Sequence, residues 1–344
     1  MDKRVVLAVA GAGKTTYIID QLKEDSRALL ITYTDNNTRN LKNRIIKKFG
    51  YVPESIRVLS YFTFIYTYCL KPLYGYELKL KGINFIQQMP KQILRTKKNT
   101  REHYIDSCQR IYSNRISKII IEFNLMPNVL DRLKRYFDSI YIDEIQDFAA
   151  NDFNFVCQLS CFDGSLLLVG DFFQHTFDTS RDGSTRKSLH DNFKKYCKEL
   201  EKAKYLIDTE TLSKSYRCPP EICEFVADKL GIHIESHKPT DGAVKFIDND
   251  EYIDAIFNND NIVKLFYESS NKYQGNTDNW GNVKGLDDFE NVCVVLNPTT
   301  LKAYKNNTLS SLAPMTKNKF YVACTRTKQN LYFIDQTKLK KYRA

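Results

Sequence analysis

The opening stretch of the chain alternates apolar runs of strand length with amphipathic, more polar segments. Residues 5–9, 27–32 and 56–60 are the apolar runs, and Lys14 to Lys23 has the spacing of a helix. This strand–helix rhythm predicts βαβ units and a parallel sheet. Between residues 70 and 136 the rhythm breaks. Ile111, Ile116, Ile119, Ile120 and Phe123 there suggest helical patterns, which predicts a helical insertion. Strands resume at 140–143 and 166–170. The second half offers strands at 244–247, 262–266, 292–296 and 331–334, with Pro219 and Pro220 in the first turn of a helix running to residue 230. The polar, glycine-bearing stretch 275–285 reads as a mobile loop beside a nucleotide cleft. The run from Tyr61 to Tyr68 is nearly all apolar or aromatic and suits a helix packed into a core.

Two strings bring chemistry to this frame. Ala8-Val-Ala-Gly-Ala-Gly-Lys-Thr15 stands between a strand and a helix. Gly11 and Gly13 remove side chains where the backbone must curl around anionic oxygens, and N–H groups at the helix start face them. In this motif Ala10, Gly11, Ala12, Gly13, Lys14, Thr15 and Thr16 surround the phosphates. Lys14 reaches the β- and γ-phosphates and the Thr15 hydroxyl ligates Mg²⁺. Ala8 replaces the glycine that usually opens the pattern. Farther on, Asp143-Glu-Ile-Gln-Asp147 follows an apolar strand. Asp143 is placed to hold Mg²⁺ through water and Glu144 to orient and deprotonate the attacking water. ATP and Mg²⁺ are therefore the expected cofactors.

The order of motifs resembles that of superfamily 1 DNA helicases of the UvrD/Rep/PcrA type. Leu30-Ile-Thr-Tyr-Thr-Asp35 and Val58-Leu-Ser-Tyr-Phe-Thr-Phe64 are similar to the family's first DNA-contacting segments, and Tyr141-Ile-Asp-Glu-Ile-Gln-Asp147 to its acidic box. Leu167-Leu-Val-Gly-Asp-Phe-Phe-Gln174, the Ser-Tyr-Arg ending at Arg217, Lys284-Gly-Leu-Asp287 and Tyr321-Val-Ala-Cys-Thr-Arg326 continue the series. The resemblance implies two RecA-like P-loop NTPase domains with parallel sheets, the first (1–69 and 137–203) interrupted by the helical insertion (70–136), the second spanning 204–344. The large second insertion of full-size relatives is missing.

The same resemblance implies that Gln174 senses the γ-phosphate, that Arg217 and Arg326 neutralise it, and that Tyr216 stacks on adenine, with Gly285 in a nucleotide-contacting turn. ATP would bind in the cleft of the two domains and draw them together. Thr32, Tyr33, Thr34, Tyr61, Phe62 and Phe64 would meet DNA, with Tyr33 foremost and Phe62 and Phe64 divided between core and cleft. Departures from the family are visible. Thr16 stands where an arginine is common, and only a few residues precede the first strand, where the family's adenine-reading Gln lies. Asn279 and Gly281 replace a Thr and a His, and Asp287-Asp288-Phe289 is one residue longer than the usual Glu-Phe. Thr179 takes the place of a base-stacking aromatic, for which Phe177 and Trp280 are the substitutes.

Charge and composition narrow the partners. Lys and Arg exceed Asp and Glu by 51 to 41, a net +10 that fits a polyanion. Arg95-Thr-Lys-Lys-Asn-Thr-Arg101 in the insertion is either a DNA contact or a solvated face. The nine cysteines are scattered with no Cys-x-x-Cys pair, which points to buried reduced thiols rather than a metal site. With neither a signal peptide nor a membrane span visible, a cytoplasmic protein is expected. Two functions follow. One is a DNA-dependent ATPase that translocates on single-stranded or partly duplex DNA, with 3′-to-5′ polarity implied by the resemblance alone. The other is an ATP-gated DNA sensor that regulates a partner nuclease, as in phage defence. An RNA-directed ATPase is a third, weaker reading, since nothing in the sequence reads a 2′-hydroxyl.

Overall fold

The computed structural model describes residues 2–86, 90–177, 180–286 and 289–344, so Thr179, Asp287 and Asp288 lie outside the described residues. The chain divides into two compact units. The first comprises Met1–Leu7, Lys14–Gly170 and Asp178–Asp208; the second comprises Ala8–Gly13, Asp171–Phe177 and Thr209–Ala344.

The first unit is built on a six-stranded sheet of β1 (Lys3–Leu7), β2 (Ala28–Thr32), β3 (Ile56–Ser60), β4 (Ser139–Asp143), β5 (Ser165–Gly170) and β6 (Leu206–Asp208). Their order is β3-β2-β4-β5-β1-β6 and every pairing is parallel. β2 is buried at all its positions, as expected of an inner strand covered on both faces. The register sets Thr32 opposite Ser60, Asp143 opposite Val169 and Leu7 opposite Gly170. The polar residues of interest thus gather at the carboxyl ends of the strands, where open α/β sheets carry their sites.

Helix α1 (Lys14–Asp20) stops short of the expected Lys23. From helix α2 (Asp35–Phe49), Lys48 Nζ donates to the carbonyls of Ile19, Asp20 and Leu22 at 2.8, 3.3 and 2.9 Å, supplying donors around the end of α1. The run from Tyr61 is helical, as expected, but passes from an α-turn (Tyr61–Phe64) into a π-helix (Ile65–Leu70), so that Tyr61, Phe64, Ile65, Tyr66, Cys69 and Leu70 are all buried.

The segment 70–136 is not purely helical. Helices Lys71–Tyr74, Ile116–Glu122 and Met126–Tyr136 accompany a parallel pair of short strands, Gly82–Asn84 and Arg110–Tyr112. Ile111, grouped by spacing with the helical residues, lies in that pair. Buried Arg115 fastens the segment down: its Nη2 sits 3.1 Å from Asp182 Oδ1, and Lys118 Nζ reaches the other oxygen of the same carboxylate. Asp182 is consequently held below the usual carboxylate range, its burial outweighed by Arg115 first and then by Lys118.

The second unit has a five-stranded parallel sheet of β7 (Ala243–Ile247), β8 (Ile262–Phe266), β9 (Thr277–Asn279), β10 (Asn291–Leu296) and β11 (Asn330–Asp335), ordered β7-β11-β10-β8-β9. The stretch expected to be a mobile loop therefore contains an edge strand. Trp280 follows the strand directly; it is fully buried, donates from Nε1 to the Leu265 carbonyl at 2.9 Å and packs edge-on against Phe320. The idea that Trp280 stacks on bases is set aside: burial and its bonded indole make it a core residue. Among the described residues no helix is long and apolar enough to cross a membrane.

Candidate active site

In the first unit, β4 delivers Asp143 to a buried position at the end of the sheet, and the next residue turns sharply. Glu144 adopts the left-handed conformation (φ 58°, ψ 49°), a strained choice for a residue with a side chain, of order 1–3 kcal/mol. Two contacts hold this turn. The Glu144 N–H donates to Asp143 Oδ1 at 2.9 Å, and Gln146 Nε2 donates to Glu144 Oε2. Gln146 is itself fully buried against β5, where a Cβ on Gly170 would collide with its amide and with Ile145. Glycine at position 170 thus makes room for the group that holds Glu144.

Opposite this turn, the Thr15 hydroxyl donates to Asp143 Oδ2 at 3.1 Å. The two groups assigned to Mg²⁺ are therefore hydrogen-bonded partners. Burial, and then the neighbouring charge of Glu144, push the Asp143 carboxyl well above the ordinary carboxylate range; Lys14, Thr15 and the Glu144 N–H act against the shift. A hydroxyl and a buried, under-compensated carboxylate suit a hard, oxygen-seeking cation such as Mg²⁺, whose other ligands are phosphate and water. Among the described residues no cluster of three or more His, Cys, Asp or Glu side chains could hold a metal. Thr16 is engaged by Arg44 of α2, whose Nη1 lies 3.0 Å from its hydroxyl. Nothing in the linear sequence signals that pairing.

In the second unit, Gly11 and Gly13 both have positive φ, 72° and 80°. At Gly11 the need is double. A Cβ there would come within 2.7 Å of both Arg217 Cβ and Ser215 Oγ, and the Gly11 carbonyl accepts the Tyr216 N–H at 2.9 Å. The Ser-Tyr-Arg element is thereby laid against the loop. Arg217 Nη1 donates to the Thr325 carbonyl at 3.1 Å. Arg326 is 1% exposed, its Nε and Nη1 donating to the carbonyls of Val322 and Leu286. Gly285 also takes a positive φ, 83°, in the turn before Leu286. Tyr216 is 62% exposed and stacks on His237 with ring centroids 4.2 Å apart. His237 escaped sequence reasoning because it follows no motif. Gln174 is buried and its Nε2 donates to Asp171 Oδ2 at 2.9 Å. Ala10 and Ala12 are buried in the loop.

The residues expected to touch DNA separate into two groups. Thr32, Tyr61 and Phe64 are buried, with Phe64 and Thr32 wholly so. Tyr61, expected to meet DNA, is instead packed into the core, and of Phe62 and Phe64, expected to divide between core and cleft, Phe64 is the core member. Tyr33 is 8% exposed, stacked on Tyr61 and bonded through its hydroxyl to Asp152 and Ser180. Thr34 caps α2 by accepting the Asn37 N–H. Phe62 is only half-buried and meets Phe85, 65% exposed, edge to face at 5.2 Å. A cavity of about 490 Å³ opens there, lined by Tyr33, Thr34, Ser60, Phe62, Thr63 and Phe85 among others. Phe85 carried no motif and was missed.

No family model matches the chain, and no curated protein does. Among solved structures it is similar to Arterivirus nonstructural protein 10, a helicase, in complex with DNA, at 13% identity and a TM-score of 0.50. The match covers 97% of this chain and 61% of that one, so the chain spans about three fifths of the helicase's length. A crystal structure of Arterivirus nonstructural protein 10 (helicase) matches at 14% identity over 98% and 62% of the two chains, TM-score 0.49. The PRRSV helicase matches at 13% identity over 98% and 53%, TM-score 0.48. The first likeness establishes a shared fold: mixed α/β with two parallel sheets, consistent with two RecA-like domains.

Proposed function

We propose that this protein is an ATPase whose turnover drives movement along single-stranded DNA. The observation that carries the reading is the buried Asp143, bonded to Thr15 beside Lys14 and followed by the strained, clamped Glu144. In this reading Lys14 holds the β- and γ-phosphates, and Thr15 and Asp143 hold Mg²⁺, which supplies charge neutralisation at the phosphates. Glu144 takes a proton from the attacking water. Gln174 senses the γ-phosphate, Arg217 and Arg326 are assigned to the charge that builds on the γ-phosphoryl group, and Tyr216 stacks on the base. Strand contacts fall to the Phe62–Phe85 cavity. The net charge of +10 supports a polyanionic partner, and a fold shared with a helicase solved with DNA is consistent with one.

One observation favours a second reading. Tyr61, Phe64 and Trp280, three of the aromatics expected beside DNA, lie in cores while Phe177 is exposed; the thinned set suits an ATP-gated DNA sensor acting on a partner protein. Steady-state ATP hydrolysis on single-stranded DNA of increasing length separates the two. A motor shows stimulation that grows with length to a plateau; a sensor shows stimulation independent of length. No hydrolysis on any DNA would remove the ATPase reading.

A further inference from the structure

Helix α3 (Pro314–Cys324) reads the segment that carries Gln174 at two points. Asn318 Nδ2 donates to the His175 carbonyl at 3.0 Å, and Tyr321, one turn on, donates its hydroxyl proton to Asp171 Oδ2 at 3.1 Å. The same phenol oxygen accepts the Ala10 N–H of the phosphate loop at 2.8 Å. Asp171 is fully buried and serves as the hub. Its Oδ2 also takes Gln174 Nε2 at 2.9 Å, and its Oδ1 takes the Phe173 N–H at 3.0 Å.

We propose that Tyr321 is a positioning residue that, through Asp171, ties the phosphate loop to the side-chain orientation of Gln174. A carboxylate has no proton to give, so Asp171 admits the amide NH₂ of Gln174 and fixes which way the side chain points; the bond uses one of its two N–H donors and leaves the second, with the carbonyl Oε1, for the γ-phosphate and its surroundings. Burial raises the Tyr321 phenol well above its usual range, which keeps the proton on the oxygen that must donate it. Any shift of Ala10 on phosphate binding pulls on the oxygen that bonds Asp171. The inference rests on the proposed role of Gln174 and adds the residue that sets it.

Tyr321→Phe removes one oxygen and keeps the ring. The expected result is a fall of about tenfold in the turnover number for ATP, the scale of one lost hydrogen bond to a charged group, with the dissociation constant for ATP changed less than about twofold. A Gln174→Ala background distinguishes positioning from packing. If Tyr321 acts through Gln174, the double variant turns over no more slowly than Gln174→Ala alone; independent effects that multiply would overturn the inference. Wild-type turnover in Tyr321→Phe would also overturn it. Should Tyr321→Phe fail to fold, Tyr321→Met removes the same hydroxyl with a side chain that adapts to the core and is read identically. Glu144→Gln, assayed in parallel, keeps the two readings apart. If it retains hydrolysis, the site assignment fails; if it is inactive while Tyr321→Phe is normal, only the role of Tyr321 fails.

Discussion

Two buried carboxylates in the first unit, Asp143 and Asp152, have the same burial and opposite surroundings. Asp152 lies on helix Ala150–Leu159 and accepts hydroxyl donors from Tyr33, Tyr61, Ser117 and Ser180. Burial lifts its carboxyl, and those donors draw it back. Asp143 has one hydroxyl, from Thr15, one N–H, and a second acid beside it. A carboxylate whose lone pairs are filled by neutral donors organises a core; one left short of donors beside another acid needs a cation. Partners, rather than burial, separate a structural acid from a chemical one.

The sharpest break of the comparison is Asp152→Ala, which strands buried hydroxyls from several elements. A loss of about 3 kcal/mol in unfolding free energy is expected, with ATP turnover per folded molecule near wild type; urea unfolding and an ATPase assay on the same samples check both. Next comes Mg²⁺-ATP binding by Glu144→Gln, chosen so that the nucleotide is not consumed. At a hundredfold excess over the dissociation constant it should stabilise the protein by about 2.7 kcal/mol. Adding Asp143→Asn should remove most of that gain, and a thermal-shift titration with and without the metal decides it. Smaller still is Phe85→Ala, at the edge of the aromatic set organised around Asp152. It should weaken binding of single-stranded DNA by about 1–3 kcal/mol, the scale of one lost stack, and leave unfolding unchanged. Fluorescence anisotropy at fixed salt measures it.

What was legible in the sequence is what local pattern encodes. Asp143 stands at the end of a strand, Lys14 opens a helix, and the parallel sheets follow from the βαβ rhythm. The same pattern failed where neighbours decide. An apolar run such as 61–68 does not reveal which rings face inward, and its shift from α to π changes the phase; Phe62 stays near the surface while Tyr61 and Phe64 sink. Asp152, Arg44 and His237 make their contacts with residues distant in sequence, so no spacing rule marks them, and the motif that opens on Tyr321 gives no sign of its bonds to Ala10 and Asp171. Trp280 sat in a stretch polar enough to read as a loop, yet its edge strand pairs with β8 through backbone bonds to which side-chain polarity is blind. Around the end of α1, Lys48, distant in sequence, donates to the carbonyls of Ile19, Asp20 and Leu22, a contact no local pattern announces.

The central claim is that Asp143 and Glu144 are the chemical acids of this fold, and single-turnover ATP hydrolysis by wild type and Glu144→Gln tests it most directly. With nucleotide binding measured alongside, the expected result is equal binding and a hydrolysis step slowed by about 10²–10⁴, the usual contribution of a general base. Equal rates in the two proteins would contradict it and return the clamped, strained Glu144 to a purely structural role.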